Sequence, residues 1–341
     1  KGHSVDILTG YPNYPDGKVY PEYKEDKKKF SYYHKAKIHR VPVVPRGKNR
    51  FTLITNYITF ILSACFFGSF KLRGKKIDTI FVFAPSPISV ALPAILISKI
   101  KKAPLILWVL DLWPETLAGL GVVKKRGLFF MIFRNLVKFI YNNSKLILCQ
   151  SKSFIRNIRL YTAEKDIYLE SKMEKKLFAK VISDIDFDLK AYPHLNINDQ
   201  IIKKVKHFPA WPEEIPIYNK NKTNLDIPVN KEKENFNILF AGNIGEAQDF
   251  PSILEAAKIL KDDKKFQWLI VGGGRMFLWL KNKIKENKIE NNIQLFGYHK
   301  LDRMPYFYSI ADVLLVTLRK DSVFEWTIPG KIQSYLTAKK P

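Results

Sequence analysis

The sequence predicts an α/β protein of two domains with parallel sheets, and three observations carry that expectation. Its 341 residues exceed one typical domain and suit two. Short runs rich in Val, Ile, Leu and Phe alternate with helical stretches, as parallel strands buried on both faces require. The polar segment 219–235, NKNKTNLDIPVNKEKEN, interrupts the alternation and reads as a linker between residues 1–218 and 236–341. Two such units leave a cleft into which strand ends point.

In order, Val5–Thr9 reads as a strand, Gly10–Lys18 as a Pro- and Asn-rich loop, and Ile38–Val44 as a second strand. Phe51–Phe70 reads as a long apolar helix. Thr79–Phe83 is a strand, followed by a helix from about Ile88 to Lys99 and a buried strand from Pro104 to Leu110. A helix over Gly127–Asn142 precedes the strand Lys145–Cys149. Residues 159–200 break the scheme, and their mixed charge at helical spacing predicts an inserted helix or two. Past the linker the strands are Phe236–Ala241, Gln267–Val271, Ile293–Phe296 and Val313–Thr317. Helices are expected over Pro251–Leu260, Phe277–Asn287, Met304–Ser309 and from Lys331.

Composition narrows the function. Apolar residues make up 46% of the chain, enough for two cores. Cys65 and Cys149 are the two cysteines, which excludes a disulfide framework and a multi-cysteine zinc site and suits a reducing compartment. Six histidines show no metal spacing, so no metal ligand is expected. The net charge of +25 is uneven, because residues 1–150 hold 25 Lys and Arg against 8 Asp and Glu. Such a half suits nucleic acid, anionic lipid or an anionic substrate, with plain solvated lysines as the simpler account. The chain begins at Lys1 with no signal peptide and its last residues read as a helix stopping short, so it reads as a piece of a longer protein.

Ligands in open α/β sheets bind beyond the carboxyl ends of the strands. Four segments fall there. AGNIGEAQD (241–249) runs from a strand through glycines towards a helix start, where free amides and the dipole favour a phosphate. GGGR (272–275) also follows a strand. TIPGK (327–331) opens the last helix with a lysine in its first turn, which opposes the dipole unless an anion binds there. WVLDLWPET (108–116) places two carboxylates and two indoles at a strand end, where indoles stack on sugars and a carboxylate orients or deprotonates a hydroxyl. The alternative at Asp111 is a helix cap.

Residues 51–70 carry no charge, with Thr52, Thr55, Asn56, Thr59 and Ser63 on one helical face and basic residues on both flanks. Core packing, interfacial contact and spanning are all open to such a helix, the polar stripe disfavouring the last. Helix 127–142 adds Phe129, Phe130, Phe133 and Phe139 to the same surface.

GHSV (2–5), TGYPNYP (9–15), WVLDLWPET (108–116), FPAWPEE (208–214), AGNIGEAQD (241–249), YSIAD (308–312) and TIPGKIQSYL (327–336) together resemble the GT4 glycosyltransferases of the WbuB/colanic-acid type. The resemblance implies a GT-B fold of two Rossmann-like domains facing across a cleft, acceptor side first and donor side second. It implies a retaining, metal-independent, cofactor-free transfer from a nucleotide sugar, expected to be a UDP-N-acetylated sugar. The acceptor would be a polyprenyl-diphosphate-linked glycan at the inner face of the bacterial inner membrane, for O-antigen, capsule or exopolysaccharide.

On these terms Asp111 and Glu115 are the catalytic candidates, and Tyr11, Asn13, Trp108 and Trp113 the acceptor-binding ones. Donor-binding candidates are Gly242, Asn243, Gly245, Gln248, Gly273, Arg275, Gly297, Tyr298, Asp321, Glu325, Pro329 and Lys331. The chain departs from the family where an Arg and a Lys usually follow the first donor-domain strand: Asn243 and Gln248 stand there. The usual glutamate pair falls on Trp326 and Ser334. Lys331, Arg275 and backbone amides would then hold the phosphates, with Asp321 or Glu325 orienting the sugar. The family's first strand and glycine loop precede Gly2, so this piece alone is expected to be weakly active or inactive.

A UDP-sugar 2-epimerase on the same fold is one alternative; it would release an epimerised sugar nucleotide and need no lipid surface. A basic nucleic-acid-binding protein is another, but no RNA-recognition or helix-turn-helix signature is present, and no nucleic-acid partner is expected.

Overall fold

The computed structural model describes residues 2–13, 17–47, 49–125, 127–163, 203–212 and 235–341. It divides into two compact units, Lys1–Ala118 with Val123–Phe208, and Gly119–Val122 with Pro209–Pro341. The linker expected at 219–235 lies, up to residue 234, outside the described residues. So does the insert expected at 159–200, except that residues 159–163 belong to a regular helix of the first unit.

In the first unit, β1 (Asp6–Gly10), α1 (Pro21–Glu25), β2 (Tyr32–Tyr33) and β3 (Ala36–Val41) come first. Then follow α2 (Arg50–Ser63), a π turn at Ala64–Gly68, α3 (Ser69–Lys71), β4 (Ile80–Ala84) and α4 (Ala91–Lys101). β5 (Leu105–Val109), α5 (Glu115–Gly119), α6 (Leu128–Asn142), β6 (Leu146–Cys149), α7 (Phe154–Ala163) and β7 (Val205–His207) complete it. β4, β5, β6 and β7 form one parallel sheet in that order. Ala84 pairs with Val109, Val109 with Cys149 and Cys149 with His207, so the four carboxyl ends share one edge. β1, β3 and β2 make a separate sheet, parallel between β1 and β3 and antiparallel between β3 and β2. The single parallel sheet that the alternation suggests for this half is thus two sheets among the described residues.

In the second unit, β8 (Phe236–Ala241), α8 (Phe250–Ile259), β9 (Phe266–Val271), α9 (Phe277–Glu286) and β10 (Ile293–Gly297) alternate. α10 (Met304–Ile310), β11 (Val313–Leu314), α11 (Ser322–Glu325) and α12 (Lys331–Thr337) follow. The sheet is parallel throughout, in the order β10-β9-β8-β11. β11 is shorter than the Val313–Thr317 run, although the Leu315 amide still donates to the Leu239 carbonyl at 2.7 Å. Successive strand residues face opposite ways: Phe240 and Ile270 pack with Phe250, Leu254 and Leu280, while Leu239 and Leu269 pack with Phe307, Tyr308 and Tyr335. Burial on both faces is why these strands read as unbroken apolar runs.

The long apolar helix forms, interrupted by the π turn, where Ala64 and Gly68 are buried. Asn49 caps α2, its side chain accepting from the Thr52 amide at 2.8 Å. Phe51, Ile54, Ile58, Leu62, Phe66 and Phe70 are exposed.

Candidate functional site

The carboxyl ends of the second unit's strands are joined backbone to backbone. The Gly242 amide donates to the Val271 carbonyl (2.9 Å), Gly272 to Gly297 (2.7 Å), and Ile244 to Gly273 (2.8 Å). Gly272 has φ +139°, and a Cβ there would lie 1.8 Å from the Gly242 carbonyl oxygen. Only glycine allows both the conformation and the approach. Gly272→Ala is therefore expected to destabilise the unit by roughly 3 kcal/mol or more, read as a lower chemical-denaturation midpoint. An unchanged midpoint would show that the loops need not touch.

Above this glycine floor stands Lys331, the first residue of α12. Its Nζ donates to the Gln248 Oε1 at 2.8 Å and lies 3.5 Å from the centre of the Phe240 ring. A Cβ on Gly242 would meet the same Nζ at 3.4 Å. Burial lowers the Lys331 pKa from 10.5 to about 7. No carboxylate pairs with it among the described residues. A half-buried ammonium held by an amide oxygen and a ring face, beside exposed glycine backbone, can receive an anion.

Tyr335, one turn along α12, sets this position. Its hydroxyl accepts from the Ala241 amide (2.8 Å) and donates to the Ala241 carbonyl (3.1 Å), clamping the helix to the end of β8. Burial raises the Tyr335 pKa further. The Gln248 loop is fixed from the other side: Thr317 Oγ1 donates to the Gln248 carbonyl at 2.6 Å, and the Arg319 amide to Ala247 at 2.9 Å. Phe240, Tyr335 and Thr317 were not singled out by the sequence reading. The four-residue spacing of Lys331 and Tyr335, which puts both on one helix face, was the available signal.

The other donor candidates divide. Asn243 is exposed, with its side-chain oxygen beside Gly274, where a Cβ would approach it to 2.6 Å. A Cβ on Gly245 would stand 2.6 Å from the Asn243 Nδ2. Gly273 lies beside the Tyr298 Cβ, and Arg275 and Tyr298 are exposed at the same strand ends. Gly297, at φ +71°, ends β10 after a register shift. Pro329 precedes the start of α12 and Glu325 is exposed at the end of α11. Asp321 instead caps α11, accepting from the Val323 amide at 3.1 Å, so its carboxylate already has a structural task.

In the first unit, three candidates make bonds within the scaffold. Trp108 is 4% exposed, packs against Phe81, Phe83 and Phe208, and donates its indole N–H to the Phe208 carbonyl at 3.1 Å. Its ring face is therefore closed to a sugar, which corrects the acceptor role expected of it. Glu115 accepts through Oε1 from Tyr161 (2.6 Å) and Asn157 (3.1 Å), tying α5 to α7, while its Oε2 is buried without a partner. Asn13 bridges Tyr11 and Arg46, donating to the Tyr11 carbonyl (2.8 Å) and accepting from the Arg46 amide (3.0 Å). Tyr11 follows β1 with its ring 5.6 Å from that of Tyr23.

Asp111 differs. It follows β5, makes no cap and has no hydrogen-bond partner among the described residues, and burial raises its pKa from 3.8 to about 6. Two residues on, the half-buried Trp113 packs edge-on against Phe133, and its indole N–H finds no acceptor. An unpartnered carboxylate at a strand end with a raised pKa marks a functional candidate.

Residues 221–324 match the family model described as glycosyl transferases group 1. The chain is 24% identical over 346 residues to a protein of Escherichia coli K12 named colanic acid biosynthesis glycosyl transferase WcaI, covering 98% of this chain and 74% of WcaI. It is 25% identical over 241 residues to a Pseudomonas aeruginosa protein named glycosyltransferase WbjE. That match covers 69% of this chain and spans half the length of WbjE. The fold is GT-B. The Anabaena protein HepE, solved with UDP and glucose, superposes with a TM-score of 0.54 at 11% identity, covering 99% of this chain and 79% of HepE. Sucrose-phosphate synthase of Thermosynechococcus elongatus gives 0.54 at 12% identity, covering 92% and 65%.

Proposed function

We propose that this protein moves a sugar from a nucleoside-diphosphate sugar, a UDP-N-acetylated sugar in the first instance, onto a polyprenyl-diphosphate-linked glycan during surface-polysaccharide synthesis. The observation that carries the donor half is Lys331, a half-buried cation with no carboxylate partner among the described residues, beside the backbone of Gly242. In this reading Lys331 and the amides near Gly242 and Gly273 hold the diphosphate, Arg275 adds charge at the rim, and Gln248 keeps the lysine in place. Counter-charge from these groups makes the transfer metal-independent, and the nucleotide sugar is a substrate, so no cofactor enters. The HepE complex with UDP and glucose supports a UDP donor.

Asp111 serves the acceptor, orienting its hydroxyl or taking its proton as the new glycosidic bond forms and the nucleoside diphosphate leaves with retention at the sugar carbon. The lipid carrier sets the place of work, the cytoplasmic face of the bacterial inner membrane, in line with the basic first half of the chain.

A thermal-shift screen of UDP-, GDP- and dTDP-sugars against the full-length protein tests the donor. A ligand bound only by the folded state at 100 times its Kd stabilises by about 2.7 kcal/mol, so UDP-sugars should raise the melting point by several degrees and Lys331→Met should abolish the shift. A flat response to all three classes would remove the reading, and release of an epimerised UDP-sugar without transfer would replace it.

A further inference from the structure

The geometry points to Arg40 as the residue that binds the diphosphate of the acceptor, an assignment that rests on the glycosyl-transfer reading above. Arg40 lies near the carboxyl end of β3, opposite Thr9 of β1 in the parallel register. Strand ends of this kind are where open α/β sheets take their ligands. Its Nη1 donates to the Gly10 carbonyl at 3.1 Å, which fixes the guanidinium against the end of β1. The guanidinium carbon stands 5.2 Å from the centre of the buried Tyr23 ring. A planar cation on an aromatic face is held in position without losing its charge.

That charge is not used inside the protein. No carboxylate pairs with Arg40 among the described residues, and its Nε–H is buried without an acceptor. The preceding residue shows the contrast. His39 projects from the other face of β3 and meets Asp6 at 2.6 Å, and Lys75 meets the same carboxylate. That acid stands at the start of β1, already shared by two basic groups. A guanidinium offers five N–H donors in a rigid fork, of which Arg40 uses one within the described residues. The side chain is half-buried, so a ligand reaches it from solvent.

The surroundings select the ligand. The loop after β1 is pinned beside Arg40: the Tyr11 amide donates to the Val41 carbonyl at 3.2 Å, and the Tyr20 amide to the Pro12 carbonyl at 3.2 Å. The Tyr11 ring leans on the same Tyr23 that carries the guanidinium. Tyr11 and Asn13, expected to bind the acceptor, thus form the frame, and Arg40 supplies the charge. A neutral sugar needs hydroxyl partners rather than a fixed cation. A fork of paired N–H groups matches two phosphate oxygens, and the anionic group of the proposed acceptor is its diphosphate. The donor's own diphosphate is assigned to Lys331 and the glycine amides of the second unit, whereas Arg40 belongs to the first.

Titration calorimetry of the full-length protein with geranyl diphosphate, a short-chain stand-in for the lipid diphosphate, tests the assignment. Arg40→Met should bind it about 30-fold more weakly than the wild type. Arg40→Lys should lose about fivefold, because the charge stays while the fork is lost. Lys331→Met should bind it as the wild type does. UDP-sugar melting shifts should run the other way, kept by both Arg40 variants and lost in Lys331→Met. Inorganic pyrophosphate should bind the wild type more weakly than geranyl diphosphate; equal affinity would make this a site for the free anion and overturn the acceptor assignment. No binding of geranyl diphosphate by the wild type, or binding lost in Lys331→Met and kept in Arg40→Met, would also overturn it. A purely structural latch between β3 and β1 predicts lower melting points in both Arg40 variants with unchanged affinity, and that result too removes the proposal. If Arg40→Met does not fold, Arg40→Lys decides, and affinity equal to the wild type's refutes the role. The two readings fail separately: UDP-sugar shifts intact with no Arg40 dependence remove this site alone, and Arg40-dependent binding without any UDP-sugar shift removes the donor reading alone.

Discussion

Replacing Lys331 by methionine is expected to weaken nucleotide-sugar binding about 100-fold, some 2.7 kcal/mol, because a charge-assisted contact to a diphosphate disappears from a partly desolvated site. The ammonium has a 2.8 Å amide contact and an aromatic face, and burial holds its pKa near 7. The folded-state pKa lies below the ordinary 10.5, so the buried charge opposes folding where it is present: stability from this site is lost as pH falls through about 7. Methionine keeps the length and removes the charge, so the variant should be at least as stable as the wild type at pH 6. A bound diphosphate instead favours the ammonium. UDP-sugar affinity of the wild type should therefore fall as pH rises above about 7, with proton uptake visible as a buffer-dependent binding enthalpy. The variant should show neither dependence. Calorimetric titration at two pH values decides it, and a variant binding within threefold of wild type would remove Lys331 from the donor site.

Asp111→Asn should reduce transfer by about 100-fold or more, the range for loss of a positioned proton acceptor, while making the protein more stable at neutral pH. A carboxyl raised from 3.8 to about 6 by burial contributes most when protonated and loses that contribution as pH rises through about 6. Asparagine resembles the protonated form at every pH. The stability gap should open between about pH 4 and 6, the window set by those two values, and reach roughly 1–3 kcal/mol above it. Urea denaturation at pH 4 and pH 7.5 measures the gap, with transfer assayed on the full-length protein. A gap of equal size at both pH values would mean that the substitution acts through packing. Full activity in the variant would assign Asp111 to structure.

The second unit was readable to within a residue or two at most strands, because each is buried on both faces and its apolar run has no competing explanation. β8 and β9 are the clearest cases. The glycines after β8 and β9 were legible as turns that bring backbone close to a ligand; the structure shows Gly272 and Gly274 instead in close approach to the loop after β8. Trp108 and Glu115 each meet a partner the sequence does not announce, because an indole or a carboxylate at a strand end has the same sequence signature whether it faces a ligand or a neighbour. Phe208 and Tyr161 are those neighbours, 100 and 46 residues away in the chain. The long helix was ambiguous for a related reason. Its polar stripe could have faced water, and the Val44 backbone takes Asn56 and Thr59 instead.

By itself the sequence determined the α/β class, the places of most strands and helices, and the glycine turns at the strand ends. These follow from local rules of burial period, backbone sterics and helix ends. The tertiary structure decided which polar side chains remain uncommitted. A carboxylate, amide or indole takes its role from whatever stands within hydrogen-bond reach, and chain folding brings that partner from far along the sequence. On that basis it left Asp111 unpartnered and held Lys331 without a counter-charge, while Asp321, Glu115 and Trp108 were given structural bonds.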